Sequence, residues 1–376
     1  MKAIYLDYNA TTPVAPEVSE LISRVFLENF GNPSSSHAPG REAKRLLEEA
    51  RGNVASMINA QPDEVFFTSG GSESNNWAIK GVAHALREKG NHIIASAIEH
   101  PAVVNPLRFL ESAGYEITWL PVDGFGLIVP DDLRKAIRAK TILVTVMHAN
   151  NEVGTIEPIR EIGRIAGEHG VLFHTDAAQS AGKVAIDVKD AGADLLTIAG
   201  HKLYAPKGVG ALYVKKGVRI EPLIHGASQE TGMRAGTENV AYDAGLGLVC
   251  SLAKDRLASG SEKKMSSLRD SLHHGLNGIF HEGIVLNGHP EKRLPNTLNV
   301  SFKGFNGAEV LGRLPAILAS TGAACHSGRT EPSAILLKMG ILPEVALGAV
   351  RFSAGVFTTE DEIDKTIEIF RESFSR

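Results

Sequence analysis

Short apolar runs alternate with amphipathic stretches between about residues 64 and 214, and this alternation constrains the fold more than any other feature. Seven runs have the length and composition of buried strands: EVFFTSG, HIIASAIEH, YEITWLPV, TILVTVMHAN, VLFHTDAAQ, DLLTIAGHK and VGALYV. Strands that alternate with helices predict an α/β domain with a mostly parallel, seven-stranded sheet. Because ligands bind beyond the carboxyl ends of strands in open α/β sheets, polar residues at those ends are the candidate site residues.

The sequence changes character after about residue 257, where charged helical segments flank the short apolar runs GIVLNG and TLNVSFKG. This pattern predicts a second, smaller α/β domain. We therefore predict a large domain over residues 15–257, and a small domain formed by residues 258–376 together with the N-terminal arm, residues 1–14.

Charge and cysteine content limit the function classes. The formal charge is −4, from 39 Lys and Arg against 43 Asp and Glu, without a long block of either sign. We therefore expect neither a nucleic acid nor a membrane as partner, but a small metabolite. Asp7 and Asn9 interrupt the region where a signal peptide would be apolar, so we expect a cytoplasmic protein. The two cysteines, Cys250 and Cys325, lie too far apart for a CxxC pair.

The segment TSGGSESNN places two glycines and a serine between a strand and a helix predicted to begin near Ser72. Backbone N–H groups at a helix start, together with the helix dipole, make an anion site that a phosphate can occupy. It is neither a Walker loop nor a GxSxG elbow. The alternative is a plain glycine turn with a serine cap.

Asp176 ends a buried strand, where a carboxylate needs a cationic partner or several hydrogen-bond donors. A salt-bridged structural aspartate is one alternative. A metal site shared with His174, on the same face of the strand, is another. Because no third ligand recurs at ligand spacing, we predict no metal.

Three more strand ends carry His100, Asn151 and Lys202. His100 either caps the following helix or stacks on a flat ligand, and Asn151 lies in a loop rich in turn formers. A lysine at the end of a core strand is either turned to solvent or held for chemistry. Pyridoxal phosphate (PLP) requires an anion cradle, a carboxylate, a flat ring and a lysine, and this chain has all four at successive strand ends.

Two residues near the C-terminus complete the candidate set. Cys325 lies among small polar residues beside His326 and Arg329, which favour a thiolate, so it is a candidate nucleophile. Cys250, in an apolar helix, is typical of an inert buried thiol. Arg351 lies inside an apolar strand and therefore needs an anion, either a substrate carboxylate or a structural salt-bridge partner.

Motifs along nearly the whole chain resemble, in order, those of the NifS/IscS-type cysteine desulfurases, in the class V aminotransferase branch of PLP fold type I. They are YLDYNATTP, GNPSSSHAPGREAK, FTSGGSESNN, EHPAVV, MHANNEVGTIEPI, HTDAAQSAGK, AGHKLYAPKGVGALY, MRAGTEN, RLPNTLNVSF, GAACHSG and RFSAG. The resemblance implies a PLP-dependent enzyme that converts L-cysteine to L-alanine and leaves the sulfur as a persulfide on the enzyme. It also implies a homodimer that supplies a protein sulfur acceptor, such as iron–sulfur cluster or thiolation machinery.

The resemblance also implies a role for each matching residue. Lys202 would hold the cofactor covalently and move the substrate Cα proton, and Cys325 would accept the sulfur. Asp176 would pair with the pyridine nitrogen, Gln179 would contact the ring hydroxyl, and His100 would stack on the ring. The phosphate would be held by Gly71, Ser72 and His201, with Thr237 reaching the phosphate of the partner subunit. The substrate carboxylate would be bound by Asn151, Arg351 and Asn32, with Asn151 also lining the cofactor site.

Two departures from the family pattern keep alternatives open. Ala199 stands where many relatives have a serine that contacts the phosphate. The GAACHS segment replaces the more usual GSACSS or GSACTS and is shared by animal selenocysteine lyases. The alternatives are therefore a selenocysteine lyase, a class V aminotransferase in which Cys325 is incidental, and a non-enzymatic metabolite-binding protein.

Overall fold

The computed structural model describes residues 3–321, 325–326 and 329–374, with the backbone alone at residues 325–326 and 329–330. The strands are β1 (Ile4–Tyr5), β2 (Val65–Thr68), β3 (His92–Ser96), β4 (Glu116–Leu120), β5 (Thr141–Thr145), β6 (Leu172–Asp176), β7 (Leu195–Ala199), β8 (Gly210–Val214), β9 (Ile284–Asn287), β10 (Thr297–Phe302), β11 (Ile317–Leu318), β12 (Cys325–His326), β13 (Arg329–Thr330) and β14 (Ala349–Ser353). The helices are α1 (Pro16–Glu28), α2 (Ala38–Met57), α3 (Gly71–Ala85), α4 (Pro101–Ser112), α5 (Pro130–Ala136), α6 (Ile159–Glu168), α7 (Val240–Ala258), α8 (Ser261–Phe280), α9 (Gly307–Gly312), α10 (Ala334–Lys338), α11 (Pro343–Leu347) and α12 (Glu360–Phe374). Within these ranges no helix is long and apolar enough to cross a bilayer.

A seven-stranded sheet with strand order β2-β8-β7-β6-β5-β3-β4 forms the centre of the molecule. All neighbouring pairs are parallel except those of β8, which runs antiparallel to β2 and β7. The predicted α/β fold with a mostly parallel seven-stranded sheet is therefore confirmed.

Both faces of this sheet are buried, which explains why its strands are apolar without alternation. Successive side chains of a strand point to opposite faces. In β3, Ile93 joins one apolar cluster and Ile94 the other, and Leu195 and Leu196 of β7 divide in the same way. Polar side chains inside the strands, such as His174 and Thr197, are therefore fully buried.

A second, antiparallel sheet has the order β14-β10-β9 and packs with α8 and α12 around a separate core. Ile4 and Leu6 of the N-terminal arm belong to this core, whereas Tyr8 belongs to that of the larger sheet. The arm is tied to β14 by Asn9, whose N–H donates to Ser353 Oγ at 2.9 Å. The N-terminal arm thus packs on both cores, and the division at residues 14 and 257 stays a prediction.

Candidate active site

A cavity of about 610 Å³ opens at the carboxyl ends of the parallel strands. Most of the predicted site residues line it, namely Gly71, Ser72, His100, Asn151, Asp176, Gln179, His201, Lys202 and Arg351. They come from six separate segments of the chain, and the sheet topology brings them together because β3, β5, β6 and β7 end at one edge. Asn9 and Ala10 of the N-terminal arm also line the cavity.

One end of the cavity is formed by the start of α3. Its N-cap residue, Gly70, has φ of +141°, a conformation that favours glycine, and no side chain caps the helix. The first N–H groups of a helix have no intrahelical acceptor, so those at Gly71 and Ser72 are available to an anion. The segment is thus more than a glycine turn with a serine cap, because the cap is absent and the donors line a cavity.

Close packing around this helix start leaves little room for a side chain at its glycines. A Cβ on Gly210 would lie 2.7 Å from the Gly70 Cα, and a Cβ on Gly71 would lie 3.2 Å from the Ala199 Cβ. His201 lies beside them, and its Nδ1 is 3.2 Å from Thr11 Oγ1. Burial, followed by the charge of Lys202, lowers the pKa of His201 to about 4, so the ring is neutral near pH 7.

Asp176 ends β6 with only 6% of its surface exposed. Its Oδ2 accepts a hydrogen bond from Asn75 Nδ2 at 2.6 Å, and its Oδ1 accepts one from the N–H of Ala178 at 2.9 Å. Throughout the described ranges it forms no ion pair. A buried carboxylate with uncharged partners only is suited to a cationic ligand.

His174, the other residue of the metal alternative, is fully buried. Its Nδ1 lies 2.8 Å from Thr145 Oγ1, and its Nε2 lies 3.1 Å from Thr197 Oγ1. Both ring nitrogens are therefore engaged by hydroxyl groups. Burial lowers the pKa of His174 to about 3, so it is a neutral core residue next to the site.

Lys202 lies in a single 3₁₀ turn, Gly200–Lys202, directly after β7. Its Nζ donates to the carbonyl oxygens of Asn9 at 2.6 Å and Ala10 at 2.7 Å. Burial, followed by the positive charge of Arg351, lowers its pKa to about 8. The lysine is therefore held inside the cavity, and a larger fraction of it is neutral than for a lysine in water.

His100 is the N-cap of α4, and its Nδ1 accepts a hydrogen bond from the N–H of Ala102 at 3.0 Å. With Nδ1 as acceptor, the neutral ring carries its proton on Nε2. Burial lowers the pKa of His100. The negative charge of Asp176 opposes this shift, and the positive charge of Lys202 adds to it. The capping role is thus present in the structure, and it fixes the plane of a ring that also lines the cavity.

Arg351 and Asn151 line another part of the cavity, next to the N-terminal arm. The Arg351 Nη2 pairs with Asp7 Oδ1 at 2.7 Å, and its Nη1 donates to the Asn151 carbonyl oxygen at 3.0 Å. The salt-bridge alternative for Arg351 is therefore realised, by a guanidinium group that also lines the cavity. Arg351 Nε and Asn151 Oδ1 are buried without a hydrogen-bond partner among the described residues, so both can still serve a ligand.

Of the remaining predicted residues, Asn32 and Thr237 do not line the cavity, and Cys325 is described by its backbone alone. Asn32 is exposed near the start of α2, where its Oδ1 accepts a hydrogen bond from the N–H of Ser34 at 2.9 Å. Thr237 is exposed ahead of α7 and does not line the cavity. The backbone of Cys325 pairs with Thr330 between β12 and β13, and its side chain lies outside the described part of the chain. The roles of these three residues stay predictions.

Sequence reasoning missed Asn9, which lines the cavity, and Lys183, which is buried beside it. Asn9 is 1% exposed, and its carbonyl oxygen accepts hydrogen bonds from Lys202 and from Gln179 Nε2. Lys183 is 4% exposed, and burial, followed by the charges of Lys202 and Arg351, lowers its pKa to about 7. Both lie in motifs quoted above, YLDYNATTP and HTDAAQSAGK, so a signal for them was present.

The donors and charges of the cavity fit PLP. An uncapped helix start suits its phosphate, a buried carboxylate suits its pyridine nitrogen, and a lysine with a lowered pKa suits its aldehyde. Fold and cavity together define an enzyme of the PLP-dependent fold type I class.

Comparison with known proteins gives the family. The model of the family described as aminotransferase class-V matches residues 4–366. A protein of Dictyoglomus turgidum named cysteine desulfurase IscS is 49% identical over 98% of this chain and 93% of its own length. A solved NifS-like protein superposes with a TM-score of 0.93 at 37% identity, covering 99% of both chains. A structure titled "SspA in complex with cysteine" has a TM-score of 0.82 at 37% identity, covering 94% of this chain and 99% of its own. The chain therefore belongs to the class-V aminotransferase family.

Proposed function

We propose that the chain is a PLP-dependent cysteine desulfurase, which converts L-cysteine to L-alanine and transfers the sulfur to Cys325. The observation that carries the proposal is the convergence of Asp176, Lys202 and Arg351 on one cavity. Asp176 and Lys202 suit the cofactor, and Arg351 suits an amino-acid carboxylate. Relatives named cysteine desulfurase, similar over nearly the full chain, and the cysteine complex of a structural neighbour support the choice of substrate.

Bound PLP would supply an electron sink that stabilises negative charge at the substrate Cα. Gly71, Ser72 and His201 would hold its phosphate, while Asp176 would keep its pyridine nitrogen protonated. His100, whose ring plane is fixed by its capping hydrogen bond, would lie against the ring. The second set of phosphate contacts, from Thr237 of the partner subunit, belongs to the same proposal.

Residues of the chain carry out substrate binding and proton transfer. Arg351 binds the substrate carboxylate through its guanidinium group, and Asn151 adds its side-chain amide. Lys202 takes the Cα proton on Nζ as a neutral amine, and the lowered pKa favours this form. The same Nζ can return a proton to the carbon that loses sulfur.

Cys325 is the sulfur acceptor. Its thiolate attacks the substrate sulfur, so that an S–S bond forms, the C–S bond breaks and the electron pair of that bond stays on the substrate carbon. The substrate carbon is thereby reduced and the sulfur is oxidised to the level of a persulfide. The electrons therefore balance between the substrate and the enzyme. An acceptor thiol then takes the sulfur from Cys325.

We also propose a homodimer. Thr237 is exposed beyond the cavity of its own chain, where it can reach a second copy. Phe26, Leu27 and Phe30 near the end of α1 are 56%, 80% and 80% exposed, and Phe26 packs edge-on against Tyr242, close to Thr237 in the sequence. Light scattering should give twice the chain mass, and a monomer would contradict this part of the proposal. A cytoplasmic location stays a prediction.

The test of the proposed function is turnover of L-cysteine by the PLP-loaded protein, with L-alanine and sulfide measured together in the presence of a thiol. We expect equal amounts of both products from the parent and neither from Cys325→Ser, whereas Cys250→Ser should retain activity because Cys250 is buried. A keto acid formed in place of alanine would indicate an aminotransferase. Activity with L-selenocysteine alone would indicate a selenocysteine lyase, and either result would overturn the proposal.

A further inference from the structure

Lys183 is a buried lysine without an anionic partner. Its Nζ donates to Gln179 Oε1 at 3.0 Å and lies 3.3 Å from Asn9 Oδ1, and no carboxylate within the described residues pairs with it. Burying an ammonium group among uncharged partners is costly. A purely structural position would be filled more stably by an apolar side chain. The hydrogen bonds of this Nζ instead constrain the two amides that it contacts.

The neighbouring network fixes the orientation of the Asn9 amide. The hydroxyl of Thr297 donates its hydrogen to Asn296 Oδ1 at 3.0 Å. Thr297 Oγ1 can therefore only accept from Asn9, and the Asn9 atom that lies 2.8 Å away is the Nδ2 donor. Asn9 Oδ1 must then face Asn296 Nδ2 at 3.0 Å and Lys183 Nζ. Lys183 is thereby confined to the role of hydrogen-bond donor on this side.

The same Nζ and the Asn9 carbonyl oxygen together determine which atom Gln179 presents to the cavity. Because Lys183 donates to Oε1, the Gln179 amide cannot rotate by half a turn without losing that bond. Nε2 uses one hydrogen on the Asn9 carbonyl oxygen at 2.9 Å. An amide nitrogen carries two hydrogens, so one N–H remains for a ligand in the cavity that Gln179 lines.

We infer that Lys183 is a positioning residue that holds Gln179 with an N–H, not its oxygen, toward the ring hydroxyl of the cofactor. The inference rests on the proposed function, because Gln179 faces that hydroxyl only if PLP is bound. A hydrogen-bond donor at this place favours the deprotonated hydroxyl, since the oxygen then carries the negative charge. An amide oxygen in the same place would disfavour it.

The test is a pH titration of the visible absorption of bound PLP, together with the dissociation constant for PLP added to the cofactor-free protein. Lys183→Met is expected to move the spectral midpoint to higher pH by about one unit, which is a tenfold change in the proton equilibrium. PLP affinity is expected to fall about tenfold, as for the loss of one hydrogen bond to a charged group. Lys183→Arg, which keeps a donor-only side chain, should shift the midpoint less.

A double-mutant cycle separates positioning from charge or packing. On a Gln179→Met background, Lys183→Met should no longer move the spectral midpoint. An equal shift on both backgrounds would mean that Lys183 acts through its charge and would overturn the inference. A lowered melting temperature without a spectral shift would also overturn it, because packing alone would then explain the residue.

A second variant serves if Lys183→Met does not fold. Gln179→Glu keeps Lys183 paired but removes the N–H donor, so it should also move the midpoint to higher pH, and an unchanged midpoint would contradict the inference. If the parent protein binds PLP with its ordinary colour and the variants show the same spectral midpoint, this inference alone is overturned. A parent that binds no PLP would sink the proposed function and this inference together.

Discussion

The two ends of the cavity differ in how their charges are satisfied before a ligand binds. At the cofactor end, formed by Gly71, Asp176 and Lys202, the helix start is uncapped, the carboxylate has amide partners only, and the lysine has carbonyl partners only. At the substrate end, lined by Asn151 and Arg351, the guanidinium group already has a carboxylate partner, Asp7.

The two ends are therefore suited to ligands with different residence times. Buried charges without counter-charges are costly, so the cofactor end is suited to a resident group that supplies an anion and a cation itself. Arg351, in contrast, is paired in the resting protein, and a substrate carboxylate has only to share or replace Asp7. Such an exchange suits a ligand that enters and leaves in each turnover.

The largest expected effect comes from the lysine of the cofactor end. Lys202→Ala should lower L-alanine production by about 10⁴-fold, because both the attachment of PLP and the proton transfer are lost. Lys216→Ala is the matched control, since Lys216 pairs with Asp63 at the surface. Product quantification by chromatography checks the effect. More than a tenth of parental activity in Lys202→Ala would remove Lys202 from the mechanism.

The next effect concerns the reactivity of Lys202 in the cofactor-free protein. Its pKa of about 8, against an ordinary value of 10.5, leaves more neutral amine, so acylation should rise with pH and level off above a midpoint of about 8. Because Arg351 lowers this pKa and Asp7 raises it, Arg351→Gln should move the midpoint up and Asp7→Asn should move it down. Peptide mass spectrometry after timed labelling measures the rate. An unchanged midpoint in both variants would mean that the two ends are electrostatically independent.

The substrate end gives a smaller effect, on KM. Arg351→Lys should raise KM for L-cysteine by about tenfold, since a lysine cannot make two parallel hydrogen bonds to a carboxylate. Asp7→Asn should lower KM a few-fold, because it removes the competing carboxylate, while it lowers the melting temperature by leaving Arg351 without its ion pair. Steady-state kinetics and thermal unfolding provide both values. A raised KM in Asp7→Asn would show that Asp7 positions Arg351 for the substrate and does not compete with it.

The smallest effect is expected at Ala199. Ala199→Ser adds a hydroxyl next to Gly71 at the cofactor end, and one further hydrogen bond should strengthen PLP binding by about twofold to tenfold. Equilibrium titration of the cofactor-free protein measures this affinity. Ala199→Val, which adds volume without a donor, is the control. Equal affinity in the serine and valine variants would show that no hydroxyl reaches the phosphate from this position.

Much of the fold and the cofactor end was predictable from sequence, for local reasons. Asp176 and Lys202 directly follow apolar strands, and parallel strands bring their ends to one edge whatever the details of packing. Gly71 was predictable for the same reason, because a glycine-rich turn between a strand and a helix is a local signal.

The rest depends on packing between distant segments, which periodicity does not encode. The Asp7–Arg351 pair joins the N-terminal arm to β14, and the contacts of Lys183 with Asn9 join the arm to the turn after β6. Thr237 lies outside the cavity of its own chain, and its predicted role needs a second subunit. A sequence can mark these residues as unusual, but only the fold shows which partners they have.

Locating the sulfur after a single exposure of the PLP-loaded protein to L-cysteine is the decisive test of the proposed sulfur transfer. Alkylation followed by peptide mass spectrometry should find one additional sulfur atom on the peptide that contains Cys325 and none on the peptide that contains Cys250. The modification should be absent from Lys202→Ala. L-alanine formed with no persulfide on Cys325, or a persulfide that persists in Lys202→Ala, would contradict the proposed sulfur transfer.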